Sequence, residues 1–368
     1  MTTIRALFLV IFSSAFLVLL PPCTTHTLQT CGFDAIYQLG DSVSDTGNLI
    51  REDPSSVYAR LPYGATFFKN ATGRCSNGLI MIDYLARSAG IPFLDAYLNE
   101  NSTHSSGVDF AVAGATALPV EILARRNITA TVTNSSLTMQ LDWMFTHFNT
   151  TCETDKGCFK KHRTALFMVG EIGANDYNYA LFEGKNLEEI RAMVPEVVQA
   201  IKDAAERVID YGGSRLVIPG NFPTGCLPMF LTVFQTNDTT AYDKFHCLKD
   251  LNNLSIYHNN HLKKAIEELR KEHPNVIIVY GNNYQAYHWL LSKAKILGFD
   301  TGKACCGIGG DYNFSIMKMC GAAGVPVCSN PDKHLSWDGA HLTQEAYKFM
   351  ATWLIHDIYP KLQCQSST

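Results

Sequence analysis

The stretch "YQLGDSVSDTGN", Tyr37 to Asn48, decides how the rest of the chain is read. It begins in the apolar run "FDAIYQL", Phe33 to Leu39, which has the length and composition of a buried strand, and then turns at Gly40 into Asp41 and Ser42. Four further runs have the same form: "VDFAVA" (Val108 to Ala113), "ALFMVG" (Ala165 to Gly170), "RLVIPG" (Arg215 to Gly220) and "NVIIVYG" (Asn275 to Gly281). Between them lie segments with helical periodicity, among them "GLIMIDYLARSAG", "LEEIRAMVPEVVQAIKDAAERVIDYGG", "LNNLSIYHNNHLKKAIEELRKEHP" and the final "LTQEAYKFMATWLIHDIYPKL". Strand and helix in alternation predict an α/β fold of three layers, α/β/α, around a five-stranded parallel sheet.

The 368 residues are 46% hydrophobic and only 17% charged, so a large core can form. A formal net charge of -4 gives no basic surface for nucleic acid or an anionic membrane. The N-terminus carries Arg5, then a fifteen-residue, largely apolar run from Ala6 to Leu20, then Pro21 and Pro22. That run is too short to span a bilayer and has the layout of a secretory signal, expected to end between Cys23 and Gln29; the boundary is placed at 26. Residues 27–368 then read as a single domain, with no linker, repeat or second long apolar segment and hence no stable membrane anchor.

Two features agree with export. Twelve cysteines suit an oxidising compartment; eleven remain after loss of Cys23, leaving at least one thiol free. Cys152 with Cys158, and Cys320 with Cys328, close short loops that a disulfide can staple, while the adjacent Cys305 and Cys306 are expected to enter separate disulfides. Eight N-x-[ST] sequons, at Asn70, Asn101, Asn127, Asn134, Asn149, Asn237, Asn253 and Asn313, predict a surface-glycosylated protein.

Why should a serine stand where the first strand ends? In open parallel sheets, ligands bind beyond the carboxyl ends of the strands, so Ser42 falls in the binding crevice. It can be a helix N-cap there, or a nucleophile, and a nucleophilic serine needs a base and donors for a developing oxyanion. "SWDGAHLTQEAY" supplies a base: Asp338 lies three residues before His341, so its carboxylate can fold back and fix the imidazole tautomer. Gly114 ends the second strand run with an accessible backbone N–H, and Asn175 follows the third with a neutral amide donor. Each of these residues also has a plain reading as a turn or cap residue. His334 lacks the aspartate three residues earlier that His341 has, and "HNNH", His258 to His261, reads as two residues of a solvated helix rather than a metal site. Nothing calls for a metal or other cofactor. Tyr177, Tyr179 and Phe222 lie near strand ends, where both pocket and core are open to them.

Taken together, "GDSVSDTGN", "VDFAVAGATAL", "GEIGANDY" and "WDGAHLT" resemble, in this order, the four blocks of the GDSL esterase/lipase family, the SGNH hydrolases, in its secreted plant branch. "LPYG", "GRCSNGLIMIDYLA", "NFPTGCLP", "CCGIGGDYNF" and "GVPVCSNP" extend the likeness from about Phe33 to the C-terminus. The resemblance implies a flavodoxin-like sheet, Ser42 as nucleophile, His341 as base oriented by Asp338, and an oxyanion hole of the Ser42 and Gly114 backbone N–H groups with the Asn175 side chain. Two positions depart from the pattern: Asp109 stands where many relatives have Asn, and Ala113 precedes Gly114 where Gly-Gly is common. The flavour is that of the acetylajmalan and sinapine esterase branch. It implies a secreted enzyme of the apoplast or vacuole that hydrolyses a small acyl ester, acetyl above all, of an alkaloid or phenylpropanoid through an acyl-enzyme. Transfer of the acyl group to another alcohol would use the same intermediate, and a secreted glycoprotein that binds its ligand without turnover is the rival from another class.

Overall fold

The computed structural model describes residues 27–151 and 162–364; the leader expected over 1–26 and the Cys152–Cys158 pairing lie outside the described residues. Five strands form one sheet: β1 (Ala35–Leu39), β2 (Gly107–Asp109), β3 (Ala165–Val169), β4 (Arg215–Pro219) and β5 (Ile277–Gly281). Their spatial order is β2-β1-β3-β4-β5, and every pairing is parallel. Seven longer helices among the described residues cover it: α1 (Met81–Ala89), α2 (Leu137–Thr151), α3 (Ala174–Phe182), α4 (Leu187–Asp210), α5 (Lys249–Glu272), α6 (Asn283–Leu297) and α7 (Gln344–Ile358).

The period of two along each strand sorts side chains onto the two faces. Tyr37, Leu39, Phe167, Val169, Leu216 and Ile218 join one core with residues of α2, α4 and α5. Ile36, Leu166, Met168, Val217 and Val279 join another with α1, α6 and α7. Burial on both faces is why β1 and β3 are apolar runs rather than alternating ones. Helix ends follow local chemistry. Asn186 caps α4 by accepting from the N–H groups of Glu188 and Glu189, and Glu189 returns a carboxylate to the Asn186 N–H.

The strand expected over Val108–Ala113 is shorter than its apolar run. The strand ends at Asp109, although the Phe110 and Val112 N–H groups still donate to the Gln38 and Gly40 carbonyls, and the Asn48 side-chain amide donates to the carbonyls of Asp109 and Ala111. Phe110 to Ala113 is therefore a buried loop. A second correction concerns "HNNH" on α5: His258 is fully buried and shares a hydrogen bond with the Tyr177 hydroxyl, so only His261 sits toward solvent.

Cys305 and Cys306 do enter separate disulfides, with Cys328 and Cys320 respectively, so the short Cys320–Cys328 loop is not closed. The reason is local pairing: Cys306 bridges Val327 in antiparallel fashion and the Cys328 N–H donates to the Cys305 carbonyl, which lays Cys328 over Cys305. Cys226–Cys247 and Cys31–Cys364 are further bonds, and Cys75 is a free, buried thiol. Cys31 and Cys364 lie 333 residues apart in sequence, so their bond removes much freedom from the unfolded chain. Replacing both by serine should lower unfolding free energy by about 2–4 kcal/mol. Denaturant titration of the double variant, with an unchanged midpoint as the contrary result, measures it.

Candidate active site

The order β2-β1-β3 reverses direction at β1, so a crevice opens beyond the ends of β1 and β3. Register fixes what meets there. Leu39 pairs with Val169, which sets Gly40–Ser42 beside Gly170–Asn175. Gly40 is required by the closeness: a Cβ there would stand 2.9 Å from the Glu171 carbonyl oxygen. After it, the Asp41 carbonyl accepts from the N–H groups of Ser44 and Asp45, and its carboxylate accepts from Val43. This turn leaves Ser42 half-exposed at its outer edge. Ser42 caps no helix.

Its hydroxyl lies 2.8 Å from His341 Nε2. The other ring nitrogen, Nδ1, lies 2.8 Å from Asp338 Oδ2. The three-residue spacing works through a turn in which Asp338 Oδ1 accepts from the Ala340 and His341 N–H groups at 3.0 and 2.8 Å. With Asp338 ionised, Nδ1 carries the proton and donates, which leaves Nε2 free to accept from the serine. Burial works against the charged forms of both partners. The His341 charge and hydrogen bonds nonetheless hold Asp338 below its usual range, and the charges of Asp338 and Asp41 with the Asp338 hydrogen bond hold His341 above its own. Asp41 itself is pushed up to about 7, chiefly by burial, with the Val43 N–H and the His341 charge opposing.

Gly114 and Asn175 border the same cavity of about 180 Å³ as Ser42 and His341. Gly114 has φ +85, and a Cβ there would meet Val132 at 2.5 Å, so only glycine presents its backbone in this way. Asn175 lies in the first turn of α3; its Nδ2 donates to the Ala115 carbonyl at 3.0 Å and its Oδ1 accepts from Asn178. These bonds aim the amide. The two departures from the family pattern are accommodated: the Asp109 carboxylate accepts from Thr46 and Ala111, and the Ala113 N–H donates to Asp45.

The five expected residues therefore meet at one crevice, and other expectations sort around it. Tyr179 and Phe222 line the cavity, with Val132, Phe182, Leu227, Phe230 and Met319. Tyr177 does not, being turned to His258 within the core. His334 contacts Cys328 and Asn330 instead of the serine, and the Cys305, Cys328 and His334 cluster has its two sulfurs joined, so it offers no thiolate to a metal.

Sequence reasoning missed three supports. Asp176, fully buried, accepts from the N–H groups of Ala117 and Leu118 and so ties the glycine loop to α3. Gln140 of α2 both donates to and accepts from the Gly40 backbone. Tyr63 donates to Asp338 at 2.9 Å. Asp176, directly after Asn175 in "GANDY", carried a signal, since an acid in an otherwise buried block must be paired; the other two carried none.

The family model described as GDSL-like Lipase/Acylhydrolase matches residues 36–354. Among curated proteins, acetylajmalan esterase 1 of Rauvolfia serpentina is 44% identical over 344 residues, 92% of this chain and 90% of its own. Acetylajmalan esterase 2 of the same plant is likewise 44% identical, over 92% of this chain and 94% of its own. A GDSL esterase/lipase of Arabidopsis thaliana is 42% identical over 99% of both chains.

If His341 is the base it must be neutral to act, and since its pKa is held above the ordinary value, activity should fall as pH drops through that raised pKa. The acid limb of kcat/KM should thus lie above about 6.5, where an unperturbed histidine titrates. A pH–rate profile on a chromogenic acetyl ester measures it; a limb at or below 6.5 is the contrary result.

Proposed function

Because the chain belongs to the GDSL-like lipase/acylhydrolase family and is a carboxylic ester hydrolase, we propose that it removes a small acyl group, acetyl above all, from an ester of a plant specialised metabolite. The observation that carries the chemistry is the unbroken line of two 2.8 Å contacts from the Ser42 hydroxyl through His341 to Asp338, opening on an apolar-walled cavity. The acyl choice leans on the names of the 44% identical relatives, which act on an acetylated substrate.

In the first step the Ser42 oxygen attacks the ester carbonyl while His341 Nε2 takes its proton. Asp338 stabilises the imidazolium so formed. Negative charge gathers on the former carbonyl oxygen, and the Ser42 and Gly114 N–H groups with Asn175 Nδ2 are the donors that bind it. His341 then returns the proton to the departing alcohol, leaving an acyl-Ser42. Water, activated by the same imidazole, attacks that ester and frees the acid and the serine. The apolar wall around Phe222, Phe230 and Leu227 excludes solvent from the acyl and alcohol groups.

Export as a glycoprotein is proposed on the leader pattern, the four disulfides of the described residues and the sequons. Seven of the eight sequon asparagines are exposed; Asn313 is half-buried, and its Nδ2, the atom a glycan would occupy, donates to the Ala304 carbonyl at 2.7 Å.

Ser42→Ala should abolish turnover of p-nitrophenyl acetate and labelling by a serine-directed fluorophosphonate, whereas Asn175→Ala should keep slow labelling and lose roughly a hundredfold to a thousandfold in kcat. Full activity in the Ser42 variant would overturn the proposal. Peptide mapping of the protein expressed in plant cells should find glycan at the exposed sequons and least at Asn313; full occupancy of Asn313 is the contrary result.

A further inference from the structure

Asp338 is bonded by more than the histidine it orients. Its Oδ1 takes two backbone N–H groups, and its Oδ2 takes both His341 Nδ1 and the hydroxyl of Tyr63, which donates at 2.9 Å from a residue 275 positions earlier in the chain. We propose that Tyr63 is a positioning residue for the reaction: its hydroxyl pins the Asp338 oxygen that faces His341 and so holds the imidazole in line with Ser42. The proposal rests on the triad reading given above.

Tyr63 is built to stay where it is. It is fully buried, in a small cluster with Trp337 and the sulfurs of Cys305, Cys306 and Cys320. The cluster is the wall of the aspartate turn. Cys305 and Cys306 donate their N–H groups to the carbonyls of Ser336 and Trp337, the two residues just before Asp338, so both disulfides anchor the backbone that carries the carboxylate. Tyr63 packs edge-on against Trp337 at 6.1 Å and against Tyr58 at 4.9 Å, and Tyr58 in turn meets the His341 ring edge-on at 5.8 Å. A phenol in such a place keeps its proton: burial, then the Asp338 charge, pushes the Tyr63 hydroxyl well up, so it remains a donor throughout the working range.

A donor on that oxygen has two separable effects. It fixes the carboxylate in rotation, which a merely apolar side chain of the same shape would not do. It also shares the negative charge of Asp338, which moderates the pull of the carboxylate on the His341 proton. Removing the hydroxyl strengthens that pull, so His341 should hold its proton to higher pH. The other groups facing the dyad are Asp41, Tyr58, Cys75 and Tyr347. Burial, first among the causes, pushes the hydroxyls of Tyr58 and Tyr347 and the thiol of Cys75 well up, so these stay neutral; Asp41, pushed up to about 7 chiefly by burial, adds its charge to that of Asp338 in raising His341. Asp41 is the same in wild type and variant, and the comparison reads the change at Tyr63.

The experiment is the pH profile of Tyr63→Phe, followed by fluorophosphonate labelling of Ser42 and by p-nitrophenyl acetate turnover, with Ser42→Ala as control. The expected result is a loss of about tenfold in kcat at the plateau with KM little changed, and an acid limb moved upward by about half a pH unit to one unit. Site-directed 3-fluorotyrosine at 63, which keeps the ring and strengthens the donor, should move the limb downward, and it serves also if the phenylalanine variant fails to fold. In an Asp338→Ala background, Tyr63→Phe should cost nothing further. A limb that stays in place in the folded Tyr63 variants, or an equal loss with and without Asp338, would overturn the positioning role. Retained turnover in Ser42→Ala would instead overturn the triad reading beneath it.

Discussion

The parallel pairing of β1 with β3 is the constraint on which the site depends. Their register, Leu39 opposite Val169, brings two segments from different parts of the chain to the same rim of the sheet. One carries Ser42 and the other Asn175. A slip by one residue would turn Tyr37 and Phe167 off their shared face and would separate Gly40 from the Glu171 carbonyl against which it fits. The remaining parts are brought to that rim by bonds that do not belong to the sheet. Asp176 draws in the Gly114 loop, and Asn48 bonds the backbone just before it.

The rim is unusually rich in buried acids, and each has a distinct task. Asp45 gathers the N–H groups of Gly47, Asn48, Leu49 and Ala113; Asp109 those of Thr46 and Ala111. Asp176 does the same for the Ala117 and Leu118 N–H groups of the glycine loop, and Asp338 for its own turn. Each carboxylate takes the place of a stretch of secondary structure, satisfying donors that loops at a sheet edge leave open. Of these, only Asp338 also contacts an ionisable partner that faces the cavity.

Much of this was legible in the sequence, and the reasons are particular. The strands at Ala35, Ala165, Arg215 and Ile277 could be read to within two residues because burial on both faces demands apolar runs, and β2 was read furthest beyond its end, since an apolar loop and an apolar strand look alike. Ser42 and Asn175 were legible because they follow strand ends, Asp338 and His341 because they stand just before the last helix, and Gly114 because it closes an apolar run, although β2 itself stops at Asp109. Tyr63 and Gln140 were not. Nothing near them in sequence says that a tyrosine reaches an aspartate 275 positions on, or that a helix glutamine closes on a strand-end glycine. The cysteines divided in the same way: Cys305 and Cys306 had to part, but which partner each found depended on the bridge between Cys306 and Val327. His258 illustrates the limit of periodicity, which placed it on a helix but not on the helix face that turns inward.

The bond between Cys31 and Cys364 makes a near-ring of the described chain, because it joins its two ends at a Cα separation of 4.4 Å. A protease that cuts one exposed loop would release no fragment under oxidising conditions; the nicked molecule would keep its mass, and the C-terminal piece with His341 would stay tethered to the piece with Ser42.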